Sequence, residues 1–313
     1  MLALEGLAPI DGWALVAILA KALGYAATLL AMGGALFLAV HERDLAPGGA
    51  GRSPYGGARG TLLAGIVPFL RRLTAAAALV GLVVLALRFA IRAARVSGMG
   101  LEGATDAMML GFVWDSPLGA AAVWRAAGEA LVLLVLIEGA IGRWAPVVGA
   151  VLIAVSYSFV GHSLGDPRWL LAALLVVHLL AVAFWIGALV PLRRASRSPF
   201  GAAVLHRFGT IASGTVALLI AVGVSFAWLL SGSLEALFGT AYGWTLLAKV
   251  TLVAALLALA ARNKLDLVPA LARGEAAASA VLRRSIAWEG AAVAIILLLT
   301  AALTTITTPP VNL

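Results

Sequence analysis

Long apolar runs with few charges dominate the sequence from Trp13 to Thr307. A run of about 18 apolar residues is long enough for a helix to cross a hydrocarbon core of roughly 30 Å. Backbone amides in lipid must pair internally, and a helix achieves this within one segment. Charged residues are only 12% of the chain, against about 25% in an ordinary soluble domain. The sequence therefore predicts an all-α, polytopic integral membrane protein.

We predict eight transmembrane helices in a single membrane domain that covers residues 1–313. A glycine-rich connector before the second helix, Gly-Asp-Pro before the fifth and Thr-Pro-Pro after the eighth mark helix ends. The predicted helices cover residues 13–40, 73–95, 118–142, 144–163, 168–191, 207–231, 243–263 and 284–307.

Basic residues concentrate in the first, third, fifth and seventh connections between the predicted helices. The positive-inside rule makes those connections cytoplasmic. We therefore expect both termini and the loops 96–117, 164–167 and 232–242 to lie outside. We therefore attribute the net charge of +8 to basic residues in the cytoplasmic loops. These residues are not interleaved with aromatic residues, as they would be on a surface that binds nucleic acid.

An internal repeat relates the two halves of the chain. SPLGAAAVWR at 116–125 aligns without gaps to TAYGWTLLAK at 240–249, and MGGALFL at 32–38 aligns to IGALVPL at 186–192. The matches keep their order, which favours two parallel four-helix halves, 13–163 and 168–307, related by an axis along the membrane normal. The alternative is that small-residue helix entries recur by chance in a chain rich in Ala, Leu and Gly.

Ionisable residues inside the predicted spans are costly unless they are paired or hydrated, so they are expected to face the bundle interior. These residues are Lys21, Arg88, Arg125, Glu129, Glu138, Lys249 and Glu289. Arg125 and Glu129 are four residues apart on one helix face and can pair. The set indicates either a polar cavity open to the outside or buried pairs that fix helix register.

Two of the four histidines lie where a metal pathway could use them. His162 is expected near the outer interface, and His178 lies some 16 Å along the fifth helix, near the midplane. Trp185 follows on the same helix stripe and could pack beneath His178. The alternative for His178 is a neutral core histidine that bonds a neighbouring helix. His41 and His206 are expected to be surface residues at cytoplasmic helix ends.

Three of the five methionines fall in the predicted outer loop SGMGLEGATDAMML, namely Met99, Met108 and Met109. Thioether and imidazole ligands together suit Cu(I), and the chain has no cysteine to supply thiolate. Methionine also fills gaps where loops pack on a bundle, so this pattern alone does not decide the function.

Four motifs together resemble the copper resistance protein D family, CopD or PcoD. They are GHS at 161–163, HLLAVAFWIGALVPL at 178–192, GTAYGWTLLAKVTLVAALLALAARNK at 239–264 and LRRSIAWEGAAVAI at 282–295. The resemblance is strongest from Gly161 to about Leu303. It singles out His162, His178, Trp185, Lys249, Asn263, Arg284 and Glu289.

The resemblance implies a bacterial inner-membrane protein with eight helices and periplasmic termini. It also implies copper as the transported ion and a CopC-like periplasmic copper carrier as partner. No soluble copper-binding domain precedes the first helix, so we expect that carrier to be a separate protein.

The resulting prediction is a copper transport protein, in which His162 and the loop methionines accept copper outside and His178 relays it inward. One alternative is a membrane electron-transfer protein with b-type haem or a quinone partner, which needs two histidines at matching depth on facing helices. A non-transporting copper assembly or sensor protein is the other. Without a Walker motif or a nucleophile–base pair, we expect neither an ATPase nor a hydrolase.

Overall fold

The structure is a computed structural model that describes residues 7–45, 65–160, 167–197, 201–231 and 233–307. Within these ranges, eight helices are long and apolar enough to cross a membrane. An antiparallel bridge joins Leu7 to Thr307, so the two ends of the described chain meet on one side of the bundle. The predicted class, a helical bundle with eight spanning helices, is confirmed.

The described ranges contain twelve α-helices, which we number in order. They are α1 Gly12–Leu45, α2 Ile66–Ser97, α3 Leu101–Thr105, α4 Ala107–Trp114, α5 Pro117–Leu133, α6 Gly139–Ser156, α7 Arg168–Ala195, α8 Ala202–Ser231, α9 Leu234–Gly239, α10 Ala241–Arg262, α11 Val268–Ala272 and α12 Ala278–Ile306. The short helices α3, α4 and α9 lie between spans, and α11 forms the end of the seventh span, Ala241–Ala272. A π-helical turn, Asn263–Leu267, joins α10 to α11.

The boundary between the third and fourth spans differs from the predicted one. The third span ends in a 3-10 turn at Leu136, and the fourth begins at Gly139 rather than near residue 144. Gly139 adopts φ +84°, a left-handed conformation that favours glycine. Glu138 is exposed at this turn. The apolar pattern runs through the break, so hydropathy alone misplaced it.

Helix α1 is central, since it packs against α2, α6, α7 and α12. It approaches α7 closely where the backbones of Gly33 and Gly187 meet. A Cβ at Gly33 would lie 2.7 Å from the Gly187 amide nitrogen, and closer still to the Ala183 carbonyl oxygen. Small residues allow such crossings between membrane helices. The crossing fixes α7 against the centre of the bundle.

Positions matched in the repeat alignment have similar local geometry. Ser116 and Thr240 each cap the following span, accepting hydrogen bonds from the backbone N–H groups of Leu118 and Gly243. Gly119 and Gly243 each pack against the backbone of the short helix that precedes them, α4 and α9. These similarities agree with two parallel halves, and the repeat stays a prediction.

Candidate functional site

Three of the predicted interior cations share one cavity. Lys21, Arg88 and Arg125 line a cavity of about 220 Å³ between α1, α2, α4, α5 and the end of α12. The Lys21 ammonium donates to the Thr304 carbonyl oxygen at 2.7 Å and contacts the Thr305 hydroxyl at 3.3 Å. The structure therefore brings together the first-half cations that the sequence placed in one polar cavity, while Lys249 lies elsewhere.

The expected pairing of Arg125 with Glu129 is wrong. The Arg125 Nε donates to the Ser156 hydroxyl at 3.0 Å, and its guanidinium lies 3.8 Å from the centroid of the Tyr157 ring. Ser156 is the last residue of α6, and Tyr157 follows it directly. The spacing of Arg125 and Glu129 on their own helix could not predict partners on another helix. No ion pair joins Arg125 and Glu129 within the described part of the chain.

Glu129 is instead a buried carboxylate without a hydrogen-bond partner among the residues that the structure describes. Its side chain has no solvent exposure. Space for it is made by Gly81 on α2, because a Cβ at that position would overlap the carboxylate. Buried carboxylates cost free energy unless something compensates them, so Glu129 is a candidate functional group of the first half.

His178 lies on α7, about 15 Å from the start of the helix by residue count. Its Nδ1 atom is buried and has no hydrogen-bond partner in the described ranges. The ring packs edge-on against Phe226 of α8, with 6.4 Å between centroids. Lys249 on α10 is close enough to interact with the imidazole electrostatically. His178 therefore packs α7 against α8 in the second half.

A second carboxylate links α12 to the π-helical turn in the same half. Glu289 on α12 is buried and accepts a hydrogen bond from the Asn263 side-chain amide, which lies in the π-helical turn. The Trp185 indole N–H lies near the same carboxylate, outside the geometry of a hydrogen bond. Local π-helical turns occur often at functional sites. Arg284 is exposed and does not join this cluster.

The loop methionines lie on the short segments between α2 and α5. Met99 precedes α3 and is 54% exposed, and Met108 on α4 is 73% exposed. Met109 is half-buried, and its backbone N–H donates to the Asp106 carboxylate that caps α4. His162 lies outside the described residues. Among the residues that are described, no three His, Asp or Glu side chains converge as a metal site.

His41 is a buried residue that the sequence reasoning misplaced on the surface. It has no solvent exposure and lies among the rings of Phe37, Phe184 and Phe208. The nearest centroid, that of Phe37, is 4.6 Å away. Phe37 stands one helical turn before His41, which was the only local signal of an aromatic environment. His206 is exposed, as expected.

Two family models match the chain. Copper resistance protein D-like, N-terminal domain, matches residues 10–167, which is about half of the chain, and Copper resistance protein D matches residues 202–303. No curated protein and no solved structure matches. The two matches together contain the buried Glu129, Asn263 and Glu289 and the half-buried Lys249.

Proposed function

The chain belongs to the copper resistance protein D family, and on that premise we propose that it carries copper inward across the bacterial inner membrane. Copper is the substrate, taken as Cu(I). In this proposal His162, Met99, Met108 and Met109 accept the ion on the periplasmic side, where both termini lie. His178 then relays it at mid-membrane.

One observation supports the relay most directly, the buried Nδ1 atom of His178 without a hydrogen-bond partner in the described part of the bundle. Leaving a buried polar atom unpaired costs about 1–3 kcal/mol. Polar groups kept inside a membrane bundle at such a cost often mark an ion pathway. A neutral imidazole nitrogen is also a good copper ligand.

The neighbouring Lys249 favours brief binding of copper at His178 over long-term storage of the ion there. Lys249 lies close enough to the imidazole to interact electrostatically, and in its protonated form it would repel a bound copper cation. Conduction requires binding that is favourable enough for entry and weak enough for exit. We infer that His178 holds copper only briefly.

In this proposal, exposed side chains on the segments between α2 and α5 capture copper from the periplasm. Met99 and Met108 reach solvent, so their thioethers can accept Cu(I) without losing a proton. A separate CopC-like carrier would deliver the ion to this surface. Changing Met99, Met108 and Met109 together to Leu should weaken capture and leave the fold intact.

Copper uptake into vesicles of known orientation tests the relay. His178→Ala should abolish most uptake while capture at the outer surface stays near the wild-type level. His206→Ala is the matched control, because His206 is exposed and lies outside the proposed pathway. A size-exclusion profile and a thermal midpoint establish that each variant is folded. Normal uptake by folded His178→Ala protein would refute the relay.

Metal analysis of the purified protein separates transport from the alternatives. The transport proposal expects copper to load and then to cross the membrane. A Soret absorbance band would indicate a haem-based electron-transfer protein instead. Loading without uptake by the wild-type protein would indicate an assembly or sensor role.

A further inference from the structure

The cavity in the first half is lined by five basic side chains. They are Lys21 of α1, Arg88, Arg92 and Arg95 of α2, and Arg125 of α5. None of the residues that line it is Asp or Glu, and the remaining wall is apolar apart from two threonines at the end of α12. The cavity volume is about 220 Å³. This is several times the roughly 30 Å³ that one water molecule occupies in the liquid.

The positive charge of this cavity is not neutralised by the described part of the protein. Lys21 bonds only to neutral oxygens of Thr304 and Thr305. Arg125 bonds to a hydroxyl and packs on an aromatic ring. The described residues form no ion pair with Arg88, Arg92 or Arg95. Five like charges around one space repel each other, and an anion between them would offset that repulsion.

Membrane topology does not explain these arginines. They lie at the end of α2 that is predicted to face outside, whereas the positive-inside rule concerns basic residues on the cytoplasmic side. Basic residues of membrane spans usually pair with a counter-charge or line a polar cavity. Because a cavity with five cations also opposes the entry of a metal cation, it is ill suited to copper alone.

We propose that this cavity binds a phosphate-type anion through the guanidinium groups of Arg88, Arg92 and Arg95. Guanidinium presents paired N–H donors that match two phosphate oxygens, which a single ammonium does not. The half-buried Arg88 and Arg95 and the exposed Arg92 let an anion enter from the surface. Free phosphate and the headgroup of an anionic phospholipid offer the same chemistry. The proposal holds whether or not the protein moves copper.

Titration calorimetry with inorganic phosphate, at constant ionic strength and on the full chain in detergent, tests the free-anion source. The double variant Arg92→Gln/Arg95→Gln should weaken phosphate binding at least tenfold. Arg72→Gln is the matched control, since Arg72 is an exposed arginine at the opposite end of the same helix, and its affinity should be unchanged. Arg92→Gln alone, at an exposed position, provides a second variant that does not endanger the fold.

Native mass spectrometry from nanodiscs tests the lipid source. The wild-type chain should retain phosphatidylglycerol in preference to phosphatidylcholine, and the double variant should lose that preference. Phosphate binding that depends on Arg92 and Arg95 supports the site with a free anion as ligand. Selective lipid retention without phosphate binding supports it with a headgroup as ligand. Binding of neither probe, or equal binding by wild type and double variant, would overturn the proposal.

Discussion

The crossing of α1 and α7 at Gly33 and Gly187 leaves no room for an added methyl group. A Cβ at Gly33 would approach the Gly187 amide nitrogen to 2.7 Å, whereas ordinary Cβ contacts begin near 3.4 Å. The atoms that it meets are backbone atoms of a helix, so no rotamer change relieves the overlap. Relieving the Gly187 contact alone requires the two helices to separate by about 0.7 Å, and the closer Ala183 carbonyl oxygen requires more.

The free-energy cost follows from this separation. Adding a methyl group to a well-packed site typically costs about 1–3 kcal/mol. Because the atoms in the way are backbone atoms that cannot change rotamer, we expect a cost near 3 kcal/mol here. Replacing Gly by Ala inside a helix returns up to about 1 kcal/mol through helix propensity. We therefore expect Gly33→Ala and Gly187→Ala each to lower the free energy of unfolding by about 2 kcal/mol. The double variant should cost less than the sum, because one separation accommodates both methyl groups.

Thermal unfolding in one detergent, followed by the loss of the monodisperse size-exclusion peak, measures these effects. Gly223→Ala is the matched control, since Gly223 lies inside the long helix α8 with no atom near the added Cβ. Its midpoint should equal or exceed that of the wild type, while the crossing variants should unfold several degrees earlier. Equal midpoints for Gly187→Ala and Gly223→Ala would refute the close crossing.

Three further predictions concern the polar residues and the topology. Glu129→Gln should reduce copper uptake more than Glu138→Gln, because Glu129 is buried and Glu138 is exposed; equal, negligible effects in vesicle assays would contradict a role for the buried carboxylate. Asn263→Ala should lower the thermal midpoint, because a buried carboxylate loses a hydrogen bond worth about 1.5–3 kcal/mol; an unchanged midpoint would count against that bond. A reporter fused after Arg273 should be cytoplasmic, and one inserted in the segment 99–109 should be periplasmic; a periplasmic signal at Arg273 would contradict the proposed orientation.

The number of spanning helices could be predicted from the sequence, because crossing a bilayer is a local requirement. Each segment must supply enough apolar length and satisfy its own backbone, so the pattern within one segment suffices. The ends of the helices were harder to predict from the sequence. The break before Gly139 depends on one backbone conformation, and the short helices α3 and α4 lie in a stretch that was predicted as a loop.

The sequence correctly placed Arg125, Glu129 and Glu289 inside the bundle. It was wrong for Glu138, which lies exposed at the turn before Gly139. The cost of a charge in lipid applies to any such residue, whatever its neighbours. Their partners could not be predicted. Arg125 bonds Ser156, which is 31 residues away, and Glu289 bonds Asn263, which is 26 residues away.

Only the tertiary structure decided these pairings, because they join different helices, and helix packing depends on the shapes of whole surfaces. The same reason explains His41, whose position at a helix end suggested exposure but whose ring is enclosed by aromatic side chains from α1, α7 and α8. The spacing of residues within one helix determined which faces are polar. The close approach of Gly33 to Gly187, set by two separate helices, determined which of those faces meet.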